Sequence, residues 1–181
     1  MHKEEQIPQL ISTRQIYKGS VINLRRDEIL NPEGKAVGRE VVEHPGGAAV
    51  LAVEETGEAY FVLQYRHPVA ECLLEIPAGK LDGGENPLDC AIRELAEEVG
   101  VKANEIRQIA VYYSTPGFTS EKLYLYLATG LEQIKRQQQE DEDLEVILIP
   151  LKEAIDMAKH GKITDGKTLI ALLLAEDILK A

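Results

Sequence analysis

The chain has 181 residues, a length that suits one domain with a small appendage and that buries a sizeable core without disulfides. Its 20 basic and 31 acidic residues give a net charge of −11, the wrong sign for general attraction to nucleic acid or to an anionic membrane. We therefore expect neither as a partner. A small anionic substrate is compatible with this charge where local cations overcome the repulsion.

The cysteines and the apolar runs bear on the cellular compartment. Cys72 and Cys90 form no C-x-x-C pair, and the N-terminus shows no signal-peptide pattern. No apolar run approaches the ~20 residues that a membrane helix needs. These features predict a cytoplasmic protein.

In chain order, the pattern predicts a group of strands followed by strands that alternate with helices. The predicted strands are 14–19, 20–30, 36–44, 48–53, 59–65, 106–113, 123–129 and 144–150. The predicted helices are 86–99, 151–160 and 168–179. This order indicates an α/β layered domain over 45–181, preceded by a small antiparallel β appendage over 1–44.

The helix at 86–99 has the clearest end signals in the chain. Asn86 is a suitable N-cap, Pro87 occupies the first helical position, and Gly100 follows the last turn. An apolar stripe at steps of three and four residues predicts that one side of this helix packs on a sheet.

The other side of the helix carries Glu94, Glu97 and Glu98 on neighbouring turns. Like charges at this spacing cost roughly 0.2–0.5 kcal/mol per pair, and the helix dipole disfavours anions in a last turn. Mg²⁺ or Mn²⁺ would relieve the repulsion, because hard cations prefer carboxylate oxygens. The alternative interpretation is a solvated acidic face.

A longer motif surrounds this helix: GKLDGGENPLDCAIRELAEEVGV, residues 79–101. It resembles the Nudix box at every fixed position, a match expected by chance on the order of less than once in a million. The matching positions are Gly79, Glu85, Arg93, Glu94, Leu95, Glu97, Glu98, Gly100 and Val101. The resemblance to Nudix hydrolases implies an α/β/α sandwich with a mixed sheet and a Mg²⁺ cofactor, for which Mn²⁺ substitutes.

The resemblance also implies roles for residues of the box. Glu94 and Glu98 match metal ligands, Glu97 lies in the same metal cluster, and the backbone carbonyl of Ala78 completes the set. Arg93 matches the residue that orients the glutamates. We therefore count Arg93 and Glu97 among the catalytic residues.

Segments outside the box are similar to the ADP-ribose pyrophosphatase branch of the family. Pro116, sixteen residues beyond Gly100, lies in a segment that looks like the substrate loop of that branch; its usual S-P-G form is Thr115-Pro116-Gly117 here. The similar segments are REVVEHPG (39–46), LQYRHP (63–68), LEIPAGKL (74–81) and STPGFTSE (114–121).

This similarity implies a set of substrate-binding residues. Arg39 and Arg66 would hold phosphate or adenine, and Tyr17 would contribute to an adenine pocket. Without the family, a strand tyrosine is more often packing and a strand arginine more often a surface residue. The full predicted set is Tyr17, Arg39, Glu40, Arg66, Thr115, Pro116, Gly117 and Glu121.

The acidic run at 140–145 is by composition a solvated loop. The resemblance instead matches it to a catalytic loop, with Glu140 as the general base and Glu142 as a further metal ligand. A shift of the match by a few residues would give the role of the base to Glu142 or Glu145.

The predicted reaction is the Mg²⁺-dependent hydrolysis of ADP-ribose to AMP and ribose 5-phosphate. Two alternatives stay open: a Nudix hydrolase of another nucleoside diphosphate sugar such as GDP-mannose, and a non-catalytic ADP-ribose-sensing domain. The resemblance further implies a homodimer in which the N-terminal strands are exchanged between protomers.

Overall fold

The structure, a computed structural model, describes residues 7–136 and 144–178 of the chain. The chain divides into two compact units. The first comprises Met1–Gly46 with Tyr113–Lys122, and the second comprises Gly47–Tyr112 with Leu123–Ala181. The division into domains 1–44 and 45–181 stays a prediction.

The first unit is built on a three-stranded antiparallel sheet. Its strands, in sheet order, are β1 (Gln9–Lys18), β2 (Asn23–Leu30) and β3 (Ala36–Glu43). The turn between β2 and β3 is stabilised by the side-chain oxygen of Asn31, which accepts hydrogen bonds from the N–H groups of Glu33 and Lys35, at 3.1 and 2.8 Å. Gly34 adopts the left-handed conformation in this turn, with φ of 75°.

The second unit contains a mixed sheet and an antiparallel sheet. The strands are β4 (Gly47–Ala52), β5 (Glu58–Arg66), β6 (Glu71–Glu75), β7 (Ala78–Lys80), β8 (Val101–Tyr113), β9 (Lys122–Gln133) and β10 (Leu144–Pro150). The mixed sheet has the order β7-β4-β9-β8, in which β4 runs parallel to β9 and antiparallel to β7. In the other sheet, β5 lies between β10 and β6 and is antiparallel to both.

Helices cover both faces of the mixed sheet. They are α1 (Pro87–Glu94), which continues into a π-helical turn (Leu95–Val99), α2 (Leu151–Lys159) and α3 (Gly166–Ile178). Strand β4 is buried along its whole length: Ala49 and Leu51 share one core with α2 and α3, whereas Ala48 and Val50 share another with α1. The fold is therefore the predicted α/β/α sandwich with a mixed sheet. Within residues 7–136 and 144–178, no helix combines the length and the apolar character needed to cross a membrane.

The observed elements differ from the predicted ones mainly between β5 and α1. No strand was predicted there, whereas the structure forms β6 and β7. Neither has the alternating apolar pattern on which strand prediction relies, since β7 is only Ala-Gly-Lys. Strand β8 begins at Val101 rather than at the predicted residue 106. The consecutive polar residues Asn104 and Glu105 interrupt the apolar–polar alternation ahead of residue 106.

Candidate active site

The predicted metal-ligating glutamates lie where α1 passes into the π-helical turn. As predicted, α1 begins with the side-chain oxygen of Asn86 accepting a hydrogen bond from the N–H of Leu88 at 2.9 Å. In the turn that follows, the N–H of Gly100 donates to the carbonyl of Leu95, five residues earlier. Such turns are rare in proteins as a whole, and those that occur are often found at functional sites. Gly100 then ends the helix in the left-handed conformation, with φ of 69°.

Arg93 connects the carboxylates of this segment. Its Nε and Nη2 donate to the two oxygens of Glu85 at 3.0 and 3.1 Å, and its Nη1 donates to Glu94 at 2.6 Å and to Glu97 at 3.0 Å. The hydrogen bonds from Arg93 lower the pKa of Glu85 from 4.5 to about 2. One guanidinium thus fixes three carboxylates relative to one another, which is the geometry that an orienting residue requires.

Gly79 lets the side chain of Glu94 lie against the backbone of β7. A Cβ at position 79 would fall 1.6 Å from Oε1 and 2.1 Å from Cδ of Glu94. Glycine is needed here for the close approach rather than for a positive φ. As a result, the Glu94 residue is only 5% exposed.

Glu98 is held by Ala78, the residue of β7 that precedes Gly79. Its Oε2 accepts a hydrogen bond from the N–H of Ala78 at 2.9 Å, and the residue is 2% exposed. The carboxylates of Glu94 and Glu98 therefore both meet the Ala78–Gly79 backbone. Burying carboxylates is costly unless hydrogen bonds or cations satisfy them, so this is not a solvated acidic face.

The oxygen atoms in this part of the protein are the kind of ligand that a hard divalent cation prefers. Glu94, Glu97 and Glu98 carry carboxylate oxygens, and Ala78, whose N–H binds Glu98, carries the carbonyl that is the further predicted ligand. Among the residues that the structure describes, no three Asp, Glu, His or Cys side chains form a complete metal-ligand group. Mg²⁺ does not depend on such a group alone, because it also takes waters and substrate phosphates as ligands.

Cys90 is a member of this site that the sequence did not indicate. It is fully buried, with Sγ 3.6 Å from the carbonyl oxygens of Gly79 and Lys80 and 3.4 Å from Nη2 of Arg93. Burial, with the negative charge of Glu85 as the next cause, raises its pKa to about 12, so the thiol is neutral and inert. Its position three residues before Arg93, on the same helix face, is the signal that places it here.

Arg66, a predicted substrate-binding residue, lies at the end of β5. Its Nε and Nη2 each donate to one oxygen of Glu75 at 2.7 Å. The Arg66 side chain is 38% exposed, whereas that of Glu75 is 1% exposed. Sequence reasoning gave Glu75 no role, although its apolar neighbours Leu74 and Ile76 are a signal of burial.

In the first unit, the predicted substrate residues do not share one face of the sheet. Directly opposed residues of antiparallel strands point to the same face, and successive residues alternate. Tyr17 opposes Leu24, and Leu24 opposes Val42, so Tyr17 lies on the face of Val42 and of Glu40. Arg39 points to the other face, so the sheet brings together Tyr17 and Glu40 but not Arg39.

The predicted substrate loop forms a turn around Pro116 and Gly117. The carbonyl of Thr115 accepts hydrogen bonds from the N–H groups of Phe118 and Thr119, both at 3.3 Å. Thr115, Pro116 and Gly117 are exposed. The loop is therefore closed by its own backbone and presents its tip to solvent.

Strand β3 anchors this loop within the first unit. The N–H of Val42 donates to the carbonyl of Phe118 at 2.8 Å, and the N–H of Ser120 donates to the carbonyl of Val42 at 3.0 Å. Glu121, also predicted to bind substrate, lies 3.4 Å from Nδ1 of His44 just beyond β3. Glu121 is thus placed beside the strand that carries Arg39 and Glu40.

The predicted loop acids are only partly within the described residues. Glu140 and Glu142 lie outside them. Glu145 is exposed on β10, opposite Leu63 of β5. The assignment of the general base among these three residues stays a prediction.

Comparisons with known proteins agree with the motif. The NUDIX domain family matches residues 43–172. The chain is 41% identical over 164 residues to "ADP-ribose pyrophosphatase" of Bacillus subtilis, covering 90% of this chain and 89% of that protein. It is 39% identical over 164 residues to "Methanol dehydrogenase activator" of Bacillus methanolicus, with the same coverage. The structure of an "ADP compounds hydrolase" has the same fold, with a TM-score of 0.86 at 22% identity, covering 99% of this chain and 97% of that one.

The contact at Gly79 leads to a prediction about metal affinity. In Gly79→Ala, the new Cβ would displace the flexible end of Glu94, so the protein should fold but bind Mn²⁺ about 10–100-fold more weakly. Titration of Mn²⁺ followed by electron paramagnetic resonance measures this affinity. Gly83→Ala is the control, because a Cβ at Gly83 meets no atom within 4 Å. Equal Mn²⁺ affinities of the two variants would contradict the prediction.

Proposed function

The chain belongs to the NUDIX family, and from this premise we propose that it hydrolyses the diphosphate bond of ADP-ribose to give AMP and ribose 5-phosphate. The observation that carries the proposal is the pair of buried carboxylates, Glu94 and Glu98, held against the Ala78–Gly79 backbone. The choice of substrate is supported by the identity of 41% to a protein named ADP-ribose pyrophosphatase.

The proposed cofactor is Mg²⁺, with Mn²⁺ as a substitute. Its proposed ligands are the carboxylates of Glu94, Glu97, Glu98 and Glu142 and the carbonyl of Ala78. A bound divalent cation would neutralise negative charge on the phosphoryl oxygens, so that water can attack the diphosphate.

The remaining chemistry falls to other side chains of the protein. Arg93 holds Glu94 and Glu97 in place through its hydrogen bonds. Glu140 is the proposed base that accepts a proton from the attacking water, a role typically worth 10²–10⁴-fold in rate. Glu142 and Glu145 are the alternatives for this role.

The proposed recognition of substrate uses cationic and aromatic side chains. In the second unit, the fork with Glu75 uses Nε and Nη2 of Arg66, and Nη1 is the proposed donor to an anionic group of the substrate. In the first unit, Tyr17 offers a flat face for a base and Arg39 a forked donor for phosphate. The remaining proposed contacts are Glu40, Thr115, Pro116, Gly117 and Glu121.

The proposed assembly is a homodimer that uses strand β1. Every residue of β1 is exposed, including Leu10 at 55%, Ile16 at 48% and Tyr17 at 57%. Exposed apolar side chains along the whole of a strand indicate a surface that another protein covers. The proposed compartment is the cytoplasm, which suits the free thiols of Cys72 and Cys90.

A second candidate function is the activation of another enzyme. It is favoured by the identity of 39% to a protein named methanol dehydrogenase activator, with the same coverage as the pyrophosphatase relative. Purified methanol dehydrogenase, assayed with and without this protein, tests it. An unchanged rate would remove this candidate.

A substrate panel tests the proposed reaction. We expect ADP-ribose to give the highest kcat/KM, with release of AMP that requires Mg²⁺ and stops when the metal is chelated. The panel compares ADP-ribose with GDP-mannose, a dinucleotide polyphosphate and an oxidised nucleotide. Preference for GDP-mannose would favour the alternative specificity, and binding of ADP-ribose without AMP release would favour a sensing domain.

Glu98→Gln tests the metal site itself. The amide oxygen of the glutamine still accepts the hydrogen bond of the Ala78 N–H, so the fold should persist while the negative charge is lost. Because metal charge stabilisation contributes several kcal/mol, we expect kcat to fall by at least about a hundredfold. Glu132→Gln is the matched control, since Glu132 is a half-exposed partner of Lys102. Full activity of Glu98→Gln at saturating Mg²⁺ would reject the metal assignment.

The proposed dimer is tested by placing a charge on β1. In Ile16→Asp the charge would be buried at the interface, so we expect the dimer dissociation constant to rise by at least about tenfold. Analytical ultracentrifugation over a range of protein concentrations measures it. Gln108→Asp, on an exposed position of β8, is the control. A wild-type protein that sediments as a monomer at all concentrations would refute the dimer.

A further inference from the structure

A partly buried network of charged side chains lies between the end of β6 and the start of α3, within the second unit. At its centre, Glu75 binds Arg66 through two hydrogen bonds of 2.7 Å. Lys167, the second residue of α3, donates to Oε2 of Glu75 and, at 3.0 Å, to Asp165. Two cations and two carboxylates are therefore joined in one chain of contacts, and their charges balance.

Asp165 and Thr168 fix the start of α3 beside this network. Oδ2 of Asp165 accepts hydrogen bonds from the N–H and the hydroxyl of Thr168 at 2.9 and 2.6 Å, as an N-cap residue does. The hydroxyl oxygen of Thr168 accepts a hydrogen bond from the N–H of Ile76 at 2.8 Å. Because Ile76 directly follows Glu75, the first turn of α3 contacts both residues and has little freedom to move away.

The ammonium group of Lys167 affects the ionisation of Glu75, the carboxylate that binds Arg66. Burial alone would raise the pKa of Glu75, but the hydrogen bonds from Arg66 and the charge of Lys167 together bring it below its ordinary value. An ionised carboxylate accepts both hydrogen bonds of a guanidinium, which is the strongest form of this pair. The side chain of Lys167 is 11% exposed, so solvent screens its charge only weakly.

We propose that Lys167 is a positioning residue for substrate binding: it holds the Glu75 carboxylate in the orientation that presents Arg66 to the anionic diphosphate of the substrate. The proposal rests on the proposed function, because Arg66 needs an anionic substrate to act on. Lys167 itself touches Glu75 and Asp165 and acts through them, in the way that outer partners orient a binding group.

The first test is the kinetics of Lys167→Met in the intact protein with ADP-ribose at saturating Mg²⁺. Loss of one charge-assisted contact should raise KM about tenfold, with kcat within about twofold of wild type. Lys167→Arg should have a KM close to the wild-type value. Lys159→Met is the matched control with wild-type kinetics, because Lys159 pairs with Glu176 at 2.6 Å and joins α2 to α3 near the surface. An unchanged KM in Lys167→Met overturns the proposal.

A double-mutant cycle shows whether Lys167 acts through Arg66. Arg66→Met alone should raise KM, and adding Lys167→Met to it should raise KM no further, because the group being positioned is already gone. Additive effects of the two substitutions overturn the proposal. If Lys167→Met does not fold, Lys167→Gln removes the charge, retains a polar end and completes the same cycle.

A spectroscopic measurement separates failure of this proposal from failure of the proposed function. Absence of AMP release by the wild-type protein contradicts the proposed function alone. The side-chain Nε–H resonance of Arg66, observed by ¹⁵N NMR, still reports its fork with Glu75. We expect Lys167→Met to shift or broaden this resonance and Lys159→Met to leave it unchanged. An Arg66 resonance that Lys167→Met leaves unchanged overturns the positioning role.

Discussion

The contact between the Glu94 carboxylate and the backbone of Gly79 is the constraint on which the rest of the carboxylate site depends. Gly79 is crowded from another side too, since a Cβ on Gly47 of β4 would lie 2.9 Å from the Gly79 carbonyl oxygen. Two glycines thus allow β4, β7 and the side chain of Glu94 to come together. Arg93 and the N–H of Ala78 then fix the neighbouring carboxylates around that point.

Much of this arrangement could be predicted because its determinants are close together in sequence. Asn86 and Gly100 mark the ends of the helix through local backbone chemistry, and the structure places both ends there. The spacing of Glu94, Glu97 and Glu98 indicated one carboxylate-rich helix face, but its expected position away from the sheet was wrong, because Glu94 and Glu98 are buried against β7. Leu88 and Ile92 of the predicted apolar stripe are exposed instead. The α/β layering followed from the order of strands and helices, and the mixed sheet from the resemblance to Nudix hydrolases. Strands β6 and β7 are too short or too irregular in pattern to be recognised.

The features that the sequence did not predict depend on contacts between distant residues or on local distortion. Glu75 and Lys167 are 92 positions apart, so no local pattern relates them. The π-helical turn adds one residue to a helical turn without any proline or glycine within it, and the carboxylate pattern alone cannot specify it. The opposite faces of Tyr17 and Arg39 follow from strand register, which requires the pairing of three strands.

The hydrogen bond between Thr168 and Ile76 has a consequence for proteolytic damage. Cleavage ahead of Gly166–Ile178 would take away the acceptor of the buried Ile76 N–H and one of the two cations that contact Glu75. Removing one counter-charge of a buried carboxylate is strongly destabilising. Molecules that have lost this helix would therefore be destabilised at Glu75 and Ile76, next to Ala78, and would be more open to further proteolysis.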